Sequence, residues 1–280
     1  MRLRLAPAAL LAVAALWGST FFLMKDAIAR EDVNSFLFTR FVVSVLVLIA
    51  IKPKVVKLLS KDLLLKGFIA GSFLAAGYIL QTLGLARTTA AITGFITGLY
   101  VTVTPLMALF FQSHKISWKR WSYIGLATIG LALLSLHGFS VGIGELLVLG
   151  SAIAFAGQII ALSAWSSGRD AYALTLVQLA TSALFSGLGS AIGGYHPPPD
   201  KGVWAVVVFT AVFATALAFF IQTWSQAHIA PTKVAVILVM EIVFAAFFAV
   251  VFGGEHLTAR IALGGTLIVI AMYLIVKEEE

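Results

Sequence analysis

Cysteine is absent from the chain, which removes thiolate catalysis and thiolate metal sites from consideration. Charge is scarce as well: 11% of residues are Asp, Glu, Lys or Arg, against roughly 25% in a soluble domain. A chain this poor in charge lacks the polar surface needed to face water. The basic residues it does have sit mostly in short connections between apolar runs, at Lys52, Lys54, Lys57, Lys61 and Lys66, and at Lys115, Lys119 and Arg120. No basic stripe with interleaved aromatics is present, so a formal net charge of +7 does not point to a nucleic-acid partner. No repeated filter sequence or ring of charge suggests a passive channel. Acid–base or metal chemistry inside a membrane needs clustered Asp, Glu or His. Here Glu241 is the one mid-span acid, with no His-x-x-x-His or Asp-x-x-Asp pattern around it. An intramembrane lipid-modifying enzyme is therefore a distant alternative, and no cofactor or metal is expected.

What the chain has in abundance is apolar sequence, at 61% hydrophobic residues and a mean hydropathy of +1.04. With about 20 residues per span, 280 residues accommodate roughly ten membrane helices with short connections. The runs fall near 8–24, 34–51, 66–86, 90–111 and 121–137, then 144–164, 172–194, 202–226, 232–252 and 260–276. The first is read as a span rather than a signal peptide, because a later segment is its equivalent.

That equivalence extends over the whole chain. Gln81-Thr82 returns as Gln222-Thr223, a shift of 141, and Ala15-Leu16-Trp17-Gly18-Ser19 aligns with Ile153-Ala154-Phe155-Ala156-Gly157 at a shift of 138. The smaller shift also pairs Asp32 with Asp170 and Arg40 with Gln178. So steady an offset indicates a duplicated unit, 1–140 and 141–280. Five spans per copy is an odd number, so the second copy is upside down relative to the first. The expected fold is thus an all-α integral membrane protein, with ten transmembrane helices as two inverted five-helix repeats around a central cavity. Lys and Arg gather on one side, with Arg2, Arg4, Lys52 to Lys66, Lys115, Lys119, Arg120, Arg169, Lys233 and Lys277. That bias puts both termini in the cytoplasm. The longest outer connection is the proline-stiffened Tyr195–Asp200.

Polar side chains in hydrocarbon are costly, so their placement is informative. Thr93, Thr97, Tyr100 and Thr104 share one helix face, as do Tyr78, Gln81 and Thr82. Ser151, Phe155, Gln158 and Trp165 form a third stripe, Thr215, Phe219, Gln222 and Gln226 a fourth, and Gln178 lies beside Thr181 and Ser182. Single hydroxyls can satisfy themselves on their own backbone. Several helices carrying aromatic-plus-amide stripes instead point to a shared wet cavity with little charge. Glu241 is expected to serve as a proton carrier, a ligand for a substrate amine, or a structural group. Arg40 either snorkels to the outer face or binds a substrate carboxylate. Gly94, Gly98 and Pro105 offer bending points for gating, and Gly67 with Gly71 a close helix approach.

Trp17-Gly18-Ser19-Thr20 with Lys25, Thr39-Arg40-Phe41 and Thr104-Pro105-Leu106 resemble motifs of the drug/metabolite transporter superfamily, in its EamA-type branch. The resemblance covers both copies. It departs at Glu241-Ile242-Val243, where the family has a proline after the acid, which removes the usual reason for a bend there. Within the superfamily the chain most resembles a bacterial inner-membrane exporter of aromatic and other neutral amino acids. The resemblance implies that spans one to four and six to nine surround the cavity, with spans five and ten at the periphery. It implies a cargo of neutral, including aromatic, amino acids moved by alternating access. Trp17, Tyr78, Tyr100 and Trp165 would enclose an apolar side chain, Gln81, Gln158, Gln178 and Gln222 would bond the zwitterionic backbone, and Thr97 is a further substrate-binding candidate. The alternative cargo is cationic drugs or other small metabolites, for which Glu241 would hold the cation. Membrane lipids are the expected surroundings.

Overall fold

The computed structural model describes residues 2–88, 90–111, 116–135, 142–252 and 256–278. Lys115, the expected junction at 140 and 141, and the side chains of Arg2, Arg4 and Lys25 lie outside what is described. Every regular element among the described residues is helical. In chain order they are α1 (Arg2–Arg30), α2 (Val33–Ile51), α3 (Lys61–Leu85), α4 (Ala90–Gly98), α5 (Tyr100–Phe111), α6 (Trp118–Ser135) and α7 (Ile143–Trp165). There follow α8 (Ala171–Gly193), α9 (Lys201–Phe209), α10 (Ala218–Gln226), α11 (Pro231–Leu238), α12 (Met240–Phe252) and α13 (Ala259–Lys277). A 3₁₀ segment, Pro53–Leu58, follows α2, and a π-helical segment, Thr210–Leu217, joins α9 to α10.

Among the described residues, eight helical runs are long and apolar enough to cross a bilayer: Val33–Ile51, Lys61–Leu85, Ile92–Phe110, Ile143–Trp165, Ala171–Gly193, Lys201–Gln226, Pro231–Phe252 and Ala259–Lys277. Two expected spans fall short of that measure for a visible reason. Within α1 the apolar stretch among the described side chains is Leu5–Thr20, and Lys25, Asp26 and Arg30 occupy the helix's final turns. Helix α6 opens with Trp118-Lys119-Arg120. Large apolar side chains such as Leu46, Phe110, Ile192 and Phe252 are exposed, the reverse of a water-facing surface and the norm for one facing lipid.

Helix starts are marked by side-chain caps. Asp32 accepts from Ser35 N at 2.9 Å to open α2, and its counterpart Asp170 accepts from Ala173 N at 2.8 Å to open α8. Helix α3 lies against α7 and α8, α2 against α8, α1 against α10 and α12, and α5 against α7, while α6 and α13 pack chiefly on each other. Close approach needs small residues at two of these crossings. A Cβ on Gly71 would stand 2.6 Å from Thr181 Cβ, and one on Gly18 would stand 2.7 Å from the Glu241 carbonyl oxygen. The first presses α3 onto α8; the second brings α12 up to Trp17.

Three interruptions shape the interior. The α4–α5 run breaks at Leu99, where i→i+3 bonds replace the α pattern: Leu99 N to Ile96 O at 3.2 Å and Thr102 N to Leu99 O at 2.9 Å. The α11–α12 run breaks at Val239, with Ile242 N bonded to Val239 O at 3.1 Å. The second break occurs although no proline follows the acid in Glu241-Ile242-Val243, so the interruption does not depend on one. The π-helical turns have side-chain causes: Ser44 Oγ donates to Ala211 O at 2.9 Å and Trp17 Nε1 to Ala214 O at 2.7 Å. Drawing carbonyls outward in this way loosens the i→i+4 ladder.

Candidate functional site

Helices α1, α2, α3, α7, α10 and the two broken runs converge on a cavity of about 100 Å³. One wall is aromatic. Trp17 lies 5.2 Å from Phe219 between ring centroids, and Tyr78 lies 5.4 Å from Phe155 and 6.3 Å from Phe219. The Trp17 bond to Ala214 O fixes the indole, so this wall is preformed. Opposite it stand hydroxyls and amides, including Thr20, Thr97, Gln81, Gln158 and Gln222, with Gln81 Nε2 donating to Thr97 Oγ1 at 3.1 Å. At this volume the cavity holds a few waters of about 30 Å³ each and falls short of the roughly 300–1,000 Å³ of ligand-filled clefts. The walls must part to admit cargo.

Two charged groups line the same cavity. Arg40 is 2% exposed; its Nε donates to Thr215 Oγ1 at 2.6 Å, and its guanidinium lies 5.4 Å from the Tyr78 ring centroid. It is turned inward rather than snorkelling. Glu241 is 8% exposed and accepts from the Tyr100 hydroxyl at 3.5 Å. Among the described residues no ion pair joins Arg40 to Glu241, or either to another charge. Buried charges are ordinarily paired with an opposite charge; here Arg40 has only uncharged partners, Thr215, Tyr78 and the Met24 sulfur at 3.7 Å, and Glu241 has the Tyr100 hydroxyl.

Ten of the lining residues stand 138 or 141 positions apart in five pairs: Trp17 with Phe155, Tyr78 with Phe219, Gln81 with Gln222, Thr97 with Leu238, and Tyr100 with Glu241.

The amides form a chain. Gln226 Nε2 donates to Ile159 O at 2.7 Å, Gln222 Nε2 to Gln226 Oε1 at 3.0 Å and to Gln158 Oε1 at 3.1 Å, and Gln158 Nε2 to Gln178 Oε1 at 3.1 Å. Gln178 thus sits behind Gln158 and does not line the cavity. Trp165 also lies elsewhere, with the Lys66 ammonium 4.8 Å from its ring centroid. Gly98 immediately precedes the Leu99 break and faces Leu131, Pro105 lies within α5, and Gly94 has Ile242 as its nearest neighbour. Thr20, Met24, Ile159 and Leu238 line the cavity although none of them is assigned to the site from sequence, Thr20 entering only as part of the Trp17-Gly18-Ser19-Thr20 motif. Thr20 had a signal, three residues after Trp17 on one helix face; Ile159 and Leu238 are ordinary aliphatics and had none.

Ion pairs close both ends of the bundle. Lys52 meets Asp170 at 3.1 Å and Arg169 meets Asp62 at 2.8 Å, beside an open recess of about 500 Å³ that also involves Tyr172, Trp224 and His228. At the other end Arg30 meets Asp200 at 2.5 Å, while the Thr39 and Tyr195 hydroxyls lie 3.1 Å apart. Two backbone N–H bonds to Asp200, from Val203 and Gly202, together with the Arg30 charge, hold its carboxyl below the usual range. Surface pairs of this kind are weak and can open.

A bundle of apolar helices around a buried polar pocket with closable ends defines a membrane transporter. The chain belongs to the EamA-like transporter family, whose model matches residues 5–136 and again 142–277. A protein of Archaeoglobus fulgidus described as an uncharacterized transporter is 31% identical over 264 residues, covering 94% of this chain and 83% of that one. A solved crystal structure superposes with a TM-score of 0.82 over 96% of this chain and 97% of its own, at 18% identity, which shows a shared fold.

Proposed function

We propose that the protein is an inner-membrane exporter of neutral, including aromatic, amino acids, working by alternating access. One observation carries the cargo class: Arg40 and Glu241 line one pocket without an ion-pair partner, and the same pocket is lined by Trp17, Tyr78, Phe155 and Phe219. An amino acid supplies the missing partner to both charges at once, its carboxylate to the guanidinium and its ammonium to the carboxylate. The wall of Trp17, Tyr78, Phe155 and Phe219 accepts the side chain. A purely cationic drug would leave Arg40 unpaired and facing it, which disfavours that cargo.

In this reading the chain is ten spans in two inverted five-helix repeats, 1–140 and 141–280, with both termini cytoplasmic. Support comes from the double match to one family model, the matched lining positions and the corresponding breaks at Leu99 and Val239. Alternating access then consists of one copy rocking against the other as the ion pairs at the two ends open in turn. Membrane lipids face the exposed aliphatics, and Gly98 with the Leu99 break serves as a bending point.

The test is exchange of labelled phenylalanine in proteoliposomes, compared with a lipophilic cation such as tetraphenylphosphonium. Saturable phenylalanine exchange, lowered in Tyr78→Ala, supports the reading. Movement of the cation with no phenylalanine exchange overturns it.

A further inference from the structure

The chain of four glutamines ends on backbone carbonyls at both extremes, and this determines which way every amide in it faces. Gln226 Nε2 donates to Ile159 O at 2.7 Å, and Gln178 Nε2 reaches Leu174 O at 3.4 Å. A backbone carbonyl only accepts, so both terminal amides must present nitrogen to it. Gln226 then has only its Oε1 to offer Gln222, which donates to it at 3.0 Å. Gln178 likewise has only its Oε1 to offer Gln158, which donates through Nε2 at 3.1 Å. The Oε1 of Gln158 is left to accept the second N–H of Gln222, also at 3.1 Å. Both hydrogens of Gln222 are consumed, its side chain is 1% exposed, and its Oε1 has no partner.

From this we infer that Gln222 Oε1 is a fixed hydrogen-bond acceptor in the pocket that receives an N–H of the cargo, the ammonium of an amino acid. Gln178 and Gln226, which do not line the pocket, are positioning residues: they stop the Gln222 amide from turning its NH₂ inward. The inference rests on the amino-acid reading and adds a source of selectivity to it. A cargo without an N–H donor leaves the buried acceptor unpaired, and such sites reject analogues lacking the matching group far more strongly than they reject a change of size. Charge attraction to Glu241 alone would not distinguish an N–H donor from a quaternary ammonium cation.

The experiment measures affinities of the full-length purified protein for L-phenylalanine, phenethylamine (ammonium, no carboxylate) and 3-phenylpropionate (carboxylate, no donor). In Gln222→Met, affinity for both ammonium ligands falls by about tenfold or more while that for 3-phenylpropionate is unchanged or tighter. In the double variant Gln178→Met/Gln226→Met, which alters nothing that touches cargo, the ammonium ligands weaken several-fold relative to 3-phenylpropionate. Equal weakening of all three ligands in both variants, or no change in either, overturns the inference. So does failure of the unaltered protein to bind either ammonium ligand. Binding of phenethylamine without phenylalanine sinks the amino-acid reading instead, and the Gln222 comparison is then read on phenethylamine.

Discussion

Tyr100 donates its hydroxyl to Glu241 Oε1 across 3.5 Å, and the two residues stand 141 positions apart, the shift that also relates Gln81-Thr82 to Gln222-Thr223. In the proposed duplicated arrangement a strict copy would set phenol against phenol or acid against acid. Divergence at this pair gives a donor on one side and an acceptor on the other, and it introduces the pocket's negative group. Arg40 and Gln178 show the same pattern: the first lines the pocket, while its counterpart anchors the amide chain behind it.

Glu241→Gln is expected to lower phenylalanine exchange roughly 10–100-fold, the range for losing one charge-assisted bond of about 1.5–3 kcal/mol. The Tyr100 hydroxyl still finds an acceptor, so yield and elution volume should hold. Normal exchange by a well-folded variant would remove Glu241 from cargo binding.

Arg40→Met is expected to separate activity from stability. A guanidinium buried without a carboxylate costs folding energy, so its loss should raise the thermal midpoint in detergent while cutting phenylalanine exchange about tenfold or more. A lowered midpoint would show that Arg40 is chiefly structural.

Glu31, in the turn between α1 and α2, is 7% exposed with no partner at either carboxyl oxygen. Burial, with Asp32 beside it, raises its pKa from the ordinary 4.5 to about 7. The folded state therefore holds the proton more tightly than the unfolded chain. The associated stability is complete below the unfolded value and is lost as pH rises through about 7. The midpoint in detergent should fall between about pH 5 and 8, and Glu31→Gln should flatten that slope; identical profiles would exclude Glu31 as the cause.

Gly18→Val should destabilise the protein by roughly 1–3 kcal/mol, the usual cost of overpacking. The Cβ alone would lie 2.6 Å from Phe244 Cβ and 2.7 Å from the Glu241 carbonyl, neither of which can move freely. Denaturation in mixed micelles gives the number, and a neutral result would mean that α1 and α12 separate readily.

Reporters fused after Lys57 and after Asp200 should register cytoplasm and exterior, respectively. The opposite pattern would invert the proposed orientation.

Much of the site could be read in the sequence because polar residues are rare in apolar helices. Tyr78, Gln81, Thr97, Tyr100, Gln158, Gln222, Arg40 and Glu241 all announce themselves by their cost in lipid, and all line the cavity. Gln178 announced itself equally but sits one amide behind, since a stripe identifies a face and not how deep a cavity reaches. The break at Val239 had no visible signal, as the proline that would have marked it is missing.

Hydropathy and spacing alone determined that this chain is a helical membrane protein with an aromatic and polar lining, because hydrocarbon forbids unpaired backbone and penalises stray polarity. Only the tertiary structure decided which polar groups satisfy one another. Arg40 and Glu241 share one pocket with hydrogen-bond partners but no ion-pair partner, and the glutamines are mostly spent on each other. That depends on how helices distant in sequence are brought together, as Gly18 and Gly71 bring α12 to α1 and α8 to α3, and one-dimensional periodicity carries no record of which faces meet.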